Sequence, residues 1–124
     1  MREYSTPQTV TVPTSGNLSD DVVRNAAEAP EAVQFSLPTD DGGWQDLTCA
    51  EFLADVSAVA KGLIAAGVEV GERVALISRT RYEWTLLDYA IWFAGAATVP
   101  IYESSSVEQI RWILSDAGVR AIIV

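Results

Sequence analysis

Four consecutive apolar residues, Val74-Ala75-Leu76-Ile77, come after the turn signal at Gly71 and run into a short polar loop, Ser78 to Arg81. A strand with one face in water alternates apolar and polar side chains. This run does not alternate, so it needs cover on both faces, the condition of a parallel sheet wound with helices on either side. That requirement constrains everything around it.

The downstream residues supply such cover. From about 82 to 95, Trp84, Leu87, Ile91 and Ala94 share one helical face, while Leu86, Ala90 and Phe93 make much of the remaining circumference apolar, which predicts a helix sandwiched between layers. A strand is expected over Thr98 to Tyr102. A capping box from Ser105 to Glu108 then opens a helix on which Val107, Ile110, Leu114 and Ala117 recur at helical spacing, and Gly118 ends it. The last residues, Ala121 to Val124, read as a buried central strand. The order strand, helix, strand, helix, strand, with short connections, predicts two right-handed crossovers and a partial doubly wound parallel sheet of an α/β fold. A domain seldom stops inside its sheet, so the chain is expected to be a fragment. Its uncovered apolar faces, on the 82 to 95 helix or the terminal strand, then predict self-association.

Upstream, residues 1 to 18 form an extended arm: Thr9, Val10, Thr11 and Val12 alternate before Pro13 and a Ser-Gly-Asn turn signal. It is either a mobile leader or a segment that pairs with a neighbouring chain or covers the domain. The domain proper is expected over 19 to 124. Ser19, Asp20 and Asp21 suit the start of a helix from about 20 to 29, which Pro30 stops. Val33, Phe35 and Leu37 alternate with polar residues, Asp40-Asp41-Gly42-Gly43 supplies a turn, and Trp44 to Thr48 returns as the second strand of an N-terminal β-hairpin. Thr48 with Glu51 makes a capping box, and Phe52, Val56, Val59 and Leu63 mark the buried face of the next helix, closed by Gly67.

Composition removes several classes of function. Eight basic against seventeen acidic side chains leave a net charge of -9, which opposes binding to nucleic acid or an anionic bilayer. With no histidine, His-dependent nucleophile systems and His-ligated metal sites are excluded, and one cysteine excludes an internal disulfide. The opening residues contain no apolar signal core, and the weakly polar stretch from Tyr89 to Tyr102 is too short to span a bilayer, so a cytoplasmic chain is expected.

The remaining constellations are mostly structural. Gly62 and Gly67 have phosphate-loop spacing, but Val68 stands where a P-loop has lysine, and no dinucleotide fingerprint occurs. Cys49 beside the Thr48 cap reads as a packed thiol, and the aspartate pairs at 20–21 and 40–41 as cap and turn residues. The tryptophans read mostly as core or interface residues. Two loops lie where an α/β protein binds ligands, at the exits of its parallel strands. Arg79, Arg81, Tyr82 and Glu83 occupy the first, either orienting an anion or forming ion pairs at a helix start. Tyr102, Glu103 and Ser104 occupy the second.

The stretch from Ser78 to Asp116, with Val99-Pro100-Ile101-Tyr102-Glu103-Ser104-Ser105 at its centre, resembles the N-terminal region of bacterial long-chain acyl-CoA synthetases, members of the adenylate-forming superfamily. The likeness extends through Ala60 to Val68 and Gly71 to Ala75, and back to Gly16-Asn17-Leu18-Ser19. It implies a parent enzyme that uses ATP, Mg and CoA: a fatty acid carboxylate attacks the α-phosphate of ATP, and the CoA thiol then displaces AMP. The family's phosphate loop, its Tyr-Gly-x-Thr-Glu element, its ribose-binding aspartate and its lid lysine normally follow position 124. The resemblance therefore implies a catalytically inert scaffold with no catalytic residue of its own. It also implies that Tyr102, Glu103 and Ser104 lie beside the CoA channel, and that the arm forms a homo-oligomer, as in some family members. Two other readings stand beside it: a stand-alone dimerising interaction module, and an adenylating enzyme with a non-CoA acceptor, such as a fatty acyl-AMP ligase.

Overall fold

A computed structural model of the chain describes residues 3–11 and 14–124. Val12 and Pro13, the end of the alternating run, lie outside the described residues. Residues 3–11 form no regular element and are exposed. The ordered elements are α1 (Ser19–Glu28), β1 (Val33–Pro38), β2 (Trp44–Thr48), α2 (Cys49–Ala65), β3 (Arg73–Ile77), α3 (Tyr82–Phe93), β4 (Ala97–Ile101), α4 (Val107–Ala117) and β5 (Ala121–Ile123).

β1 and β2 pair antiparallel as the expected hairpin, with a register irregularity between Val33 and Phe35. The second sheet is parallel, in the order β4-β3-β5. Val74 lies level with Thr98 and Ala121, and Leu76 with Pro100 and Ile123. β3 is therefore the central strand, and its Val74, Ala75 and Leu76 are wholly buried. β5, expected at the centre, instead lies at an edge, with Ile122 half exposed. Its side chains are as apolar as those of β3, and pairing on one edge only leaves them partly uncovered.

The order has a geometric consequence. The chain steps from β3 outward to β4 and then back across β3 to β5. Two right-handed crossovers in opposite directions place their helices on opposite faces. α3 packs with α1 and α2 on one face, where Phe52, Val56, Ala60 and Ala90 form a core together with Val22. Aromatic edges interlock there: the Phe52 ring centroid lies 5.0 Å from that of Phe35 and 5.6 Å from that of Tyr89. A second cluster of Val68, Val74, Ile91 and Ala96 ties α3 to the sheet. Within α3 only Glu83 is exposed, Ala90 and Ile91 are buried and the other residues are partly covered, so the helix packs around most of its circumference as its pattern predicts. α4, on the other face, buries no residue, and Trp112 stands 66% exposed on it. Trp44 is also exposed, so two of the four tryptophans are surface residues rather than core.

Caps set the helix boundaries. Thr48 and Glu51 form the expected box, with each residue satisfying the other's backbone N–H. The second box is displaced by one residue: Ser106 Oγ accepts from the Gln109 N–H at 3.2 Å, and Gln109 Oε1 accepts from the Ser106 N–H at 2.8 Å. Ser105 is not free for the role because its N–H closes a turn onto the Tyr102 carbonyl. α1 begins without a side-chain bond from its first residues to the helix; instead Asn17 Oδ1 accepts from the Ser19 N–H, and Asp20 Oδ2 from the Asn17 N–H. At Gly95, φ is +78°, and a Cβ there would stand 2.9 Å from Val70 Cγ2, so glycine is required twice over.

Two predictions test this packing by urea denaturation. Phe52→Ala should cost about 3–5 kcal/mol, while Trp112→Ala should stay within about 0.5 kcal/mol. Ser106→Ala should lose about 1 kcal/mol as a vacated cap, and Ser105→Ala markedly less; the reverse order would reinstate the cap at Ser105.

Candidate functional site

Opposite-facing crossovers also create a crevice. The loop leaving β3 turns toward α3 on one face, and the loop leaving β4 turns toward α4 on the other. The two diverge at neighbouring strands, and the gap between them at the carboxyl edge is where open α/β sheets take ligands. In this chain the gap holds a cleft of about 360 Å³ lined by Ser78, Thr80, Trp84, Pro100, Ile101 and Tyr102. Each strand contributes its exit, and α3 contributes its first turn.

Of the three residues expected beside a ligand channel, Tyr102 lines this cleft, with 84% of its surface exposed. Glu103 and Ser104 are exposed in the same loop but are not among the lining residues. Ser78, Thr80 and Trp84 line it although no sequence signal marks them. At the β3 exit the charges are the conspicuous residues, whereas the alternate small hydroxyl residues face the cleft. Trp84 looks like a core residue by its helical spacing, and only the position of β4 shows that its indole ends at the sheet edge.

Two of the charged residues at the β3 exit, Arg81 and Glu83, pair at the helix start. Arg81 pairs with Glu83 at 3.5 Å, with both side chains more than half exposed, a geometry worth little in water. The Tyr82 hydroxyl donates to Asp55 Oδ2 at 2.8 Å, joining α3 to α2, while its ring stands against Phe35. Burial first, and then that hydrogen bond, push the Tyr82 phenol well above its usual value. Nearby, the Thr48 backbone N–H and hydroxyl hold the Glu51 carboxyl below its usual range.

The other sequence candidates resolve as structure. Gly62 lies within α2, and Gly67 follows it with φ of +91°. Cys49 is buried at the start of α2, and its thiol lies 3.3 Å from Gln34 Oε1. Asp21 pairs with Arg24, and Asp41 accepts from the Thr39 hydroxyl and the Gly43 N–H across the hairpin turn, bonds that lower its carboxyl. Among the described residues, no three His, Cys, Asp or Glu side chains converge to hold a metal ion, and no helix is long and apolar enough to cross a membrane.

Residues 22–124 match the family described as AMP-binding enzyme. Long-chain-fatty-acid–CoA ligase FadD15 of Mycobacterium bovis is 47% identical over 117 residues, covering 94% of this chain and 19% of its own length. Its namesake in Mycobacterium tuberculosis is 46% identical over the same length. Among solved structures, the inhibitor-bound N-terminal domain of FACL13 from Mycobacterium tuberculosis aligns with a TM-score of 0.77 at 28% identity, covering 86% of this chain and 26% of that one. The N-terminal subdomain of Klebsiella oxytoca NpsA in complex with 3-hydroxyanthranilyl-AMSN aligns with a TM-score of 0.72 at 27% identity, over 85% and 26%. The chain thus spans about one fifth of the length of the FadD15 relatives.

The Tyr82 bond makes a signed prediction. The folded chain holds the phenol proton more tightly than the unfolded chain, so this contribution is intact below about pH 10 and declines as pH rises beyond it. Tyr82→Phe should cost about 1 kcal/mol at neutral pH and flatten the alkaline decline in urea-measured stability; an unchanged alkaline slope would assign the decline to other groups.

Proposed function

This chain belongs to the AMP-binding enzyme family, and from that premise we propose that it is the N-terminal part of an ATP-dependent long-chain fatty acid CoA ligase. The observation that carries the reading is the 47% identity to FadD15, which extends over 94% of the chain rather than over one motif.

In the proposed reaction a fatty acid carboxylate oxygen attacks the α-phosphate of ATP and expels pyrophosphate, giving the acyl-adenylate. The CoA thiol, losing its proton, then attacks the acyl carbonyl and expels AMP. The described residues do not form a cage for the Mg²⁺ that ATP chemistry of this kind calls on, since their carboxylates do not cluster. They also offer no buried charged group that would act on a phosphate or a carbonyl. The role left to this chain is positioning. A rigid sheet edge holds two strand exits at a constant separation, and binding energy spent on orientation lowers the barrier without a reacting side chain. Tyr102, at the β4 exit and on the cleft wall, is the residue of its loop that we place beside the CoA path, with Glu103 and Ser104 at the outer rim.

The natural polypeptide that carries this chain tests the reading when supplied with palmitate, Mg-ATP and CoA. AMP and palmitoyl thioester are expected from it, and neither from the 124-residue chain alone. Acyl-adenylate without thioester would replace CoA by another acceptor. No AMP release with palmitate would remove the fatty acid. Tyr102→Ala in that polypeptide should raise the KM for CoA several-fold.

A further inference from the structure

We infer that the side of the sheet formed by α4 and the free edge of β5 is a docking surface for the rest of an AMP-binding domain, and that it binds that partner across a break in the chain, as a separate polypeptide. Docking follows from family membership alone, while the activity of the docked pair rests on the CoA ligase reading.

The surface is where this chain covers itself least. Among the described residues β5 pairs with β3 along one edge and with no strand along the other. Ala121 and Ile123 pack in the cluster on the α3 face, so strand alternation turns Ile122 to the opposite face, where it is half exposed. α4 lies on that same face, with Val107 and Trp112 about two-thirds exposed and Ile110, Ile113 and Leu114 only partly covered. Apolar grooves run along both flanks of the helix, one past Val107, Ile110 and Leu114, the other past Trp112 and Ile113. A free strand edge beside an apolar helix suits a partner that adds a strand and covers the helix in one step.

The charge distribution points to the same side. Residues 19–72, which hold α1, the hairpin and α2, contain eleven acidic and two basic side chains, whereas residues 73–124 contain five of each. The surplus of negative charge thus belongs to the elements before β3, and β5 carries no charge at all. The cores of protein interfaces are depleted of charge in this way. A second copy of the chain is the poorer occupant, because β5 offers only three residues of edge and each copy brings a net charge of -9 that repels its like.

The relatives identify the partner and the break. In FadD15 the matched residues are 19% of the polypeptide, and the remainder of such a ligase is the natural counterpart of this surface. Rv1549 of Mycobacterium tuberculosis is 33% identical over 100 residues, 81% of this chain, yet there the matched region is 55% of the whole length. That polypeptide has too little further chain to equal a ligase of the length of FadD15. A unit found both inside a long ligase and on a short chain meets its counterpart, in the second case, without a peptide link.

The test co-expresses the tagged 124-residue chain with Mycobacterium bovis FadD15 lacking its 117 matched residues, beside a chimera in which this chain replaces those residues. A one-to-one complex is expected, and the pair and the chimera, but neither part alone, should form AMP and palmitoyl thioester from palmitate, Mg-ATP and CoA. Ile122→Lys, a charge on the edge strand, and Trp112→Asp, on the exposed helix flank, should each weaken the complex about tenfold. Trp44→Ala, an equally exposed tryptophan on the hairpin, should leave it unchanged. A complex that withstands both substitutions, or is lost with Trp44→Ala, would overturn the assignment of the surface. No complex, or a FadD15 remainder that stays insoluble beside the chain, with an active chimera, would refute docking across a break and leave the ligase reading in place. An intact complex with an inactive chimera would support docking and remove the ligase reading; if neither complex nor activity is found, both fall. A homodimer in sedimentation that Ile122→Lys dissolves, without binding to FadD15, would give the surface to a second copy instead.

Discussion

The burial of β3 on both faces and both edges is the constraint on which the other elements depend. Val74, Ala75 and Leu76 have no exposed surface, and their backbone groups pair with β4 on one side and β5 on the other. A strand in that position cannot tolerate a polar side chain on either face. The two crossovers that supply its neighbours must pass on opposite faces if both are right-handed. From that divergence comes the cleft at the carboxyl edge. The cleft is thus a by-product of how the central strand is covered, with Pro100 and Ile101 of β4 and Trp84 of α3 in its walls and loop residues at its rim.

Apolar packing dominates the energetics. Among the described residues no polar or charged residue is fully buried, although the Thr98 hydroxyl oxygen is and has no hydrogen-bond partner, and the ion pairs of Arg24 with Asp21, Arg81 with Glu83 and Arg120 with Glu72 all have at least one partner largely in solvent. Such pairs contribute little. Hydrogen bonds instead mark boundaries. Two capping boxes start α2 and α4, and Arg73 donates to the Gly118 carbonyl at 3.2 Å, tying the end of α4 back to the start of β3. The packing is uneven between the faces. Phe35, Phe52, Tyr82 and Tyr89 meet edge to face between the hairpin, α2 and α3, whereas α4 has no buried residue.

Most of the element order and the hairpin are legible in the sequence, because each depends on neighbours within a few turns of chain. Alternation around Phe35, the Thr48 and Glu51 box, and the all-round apolar character of α3 all lead to the observed structure. The cap of α4 lies one residue from its expected place for a local reason that only a backbone reveals. Overlapping Ser-x-x-Glu and Ser-x-x-Gln patterns are equally good caps, and the turn from Tyr102 to Ser105 decides between them. The cleft is half legible. Tyr102 emerges from strand-exit reasoning, while Ser78, Thr80 and Trp84 are ordinary residues whose meaning depends on what stands across from them.

The sequence by itself determined that this chain forms alternating strands and helices around one fully covered strand, since hydrophobic periodicity and caps are properties of adjacent residues. It also determined that the chain carries no histidine-based chemistry, a matter of composition alone. Only the tertiary structure decided which apolar strand is central. β3 and β5 have equally apolar side chains, and pairing on two edges rather than one is a relation between distant segments that no local pattern encodes. The same holds for the cleft, whose walls belong to segments separated by a whole crossover and come together only when β3 and β4 lie side by side.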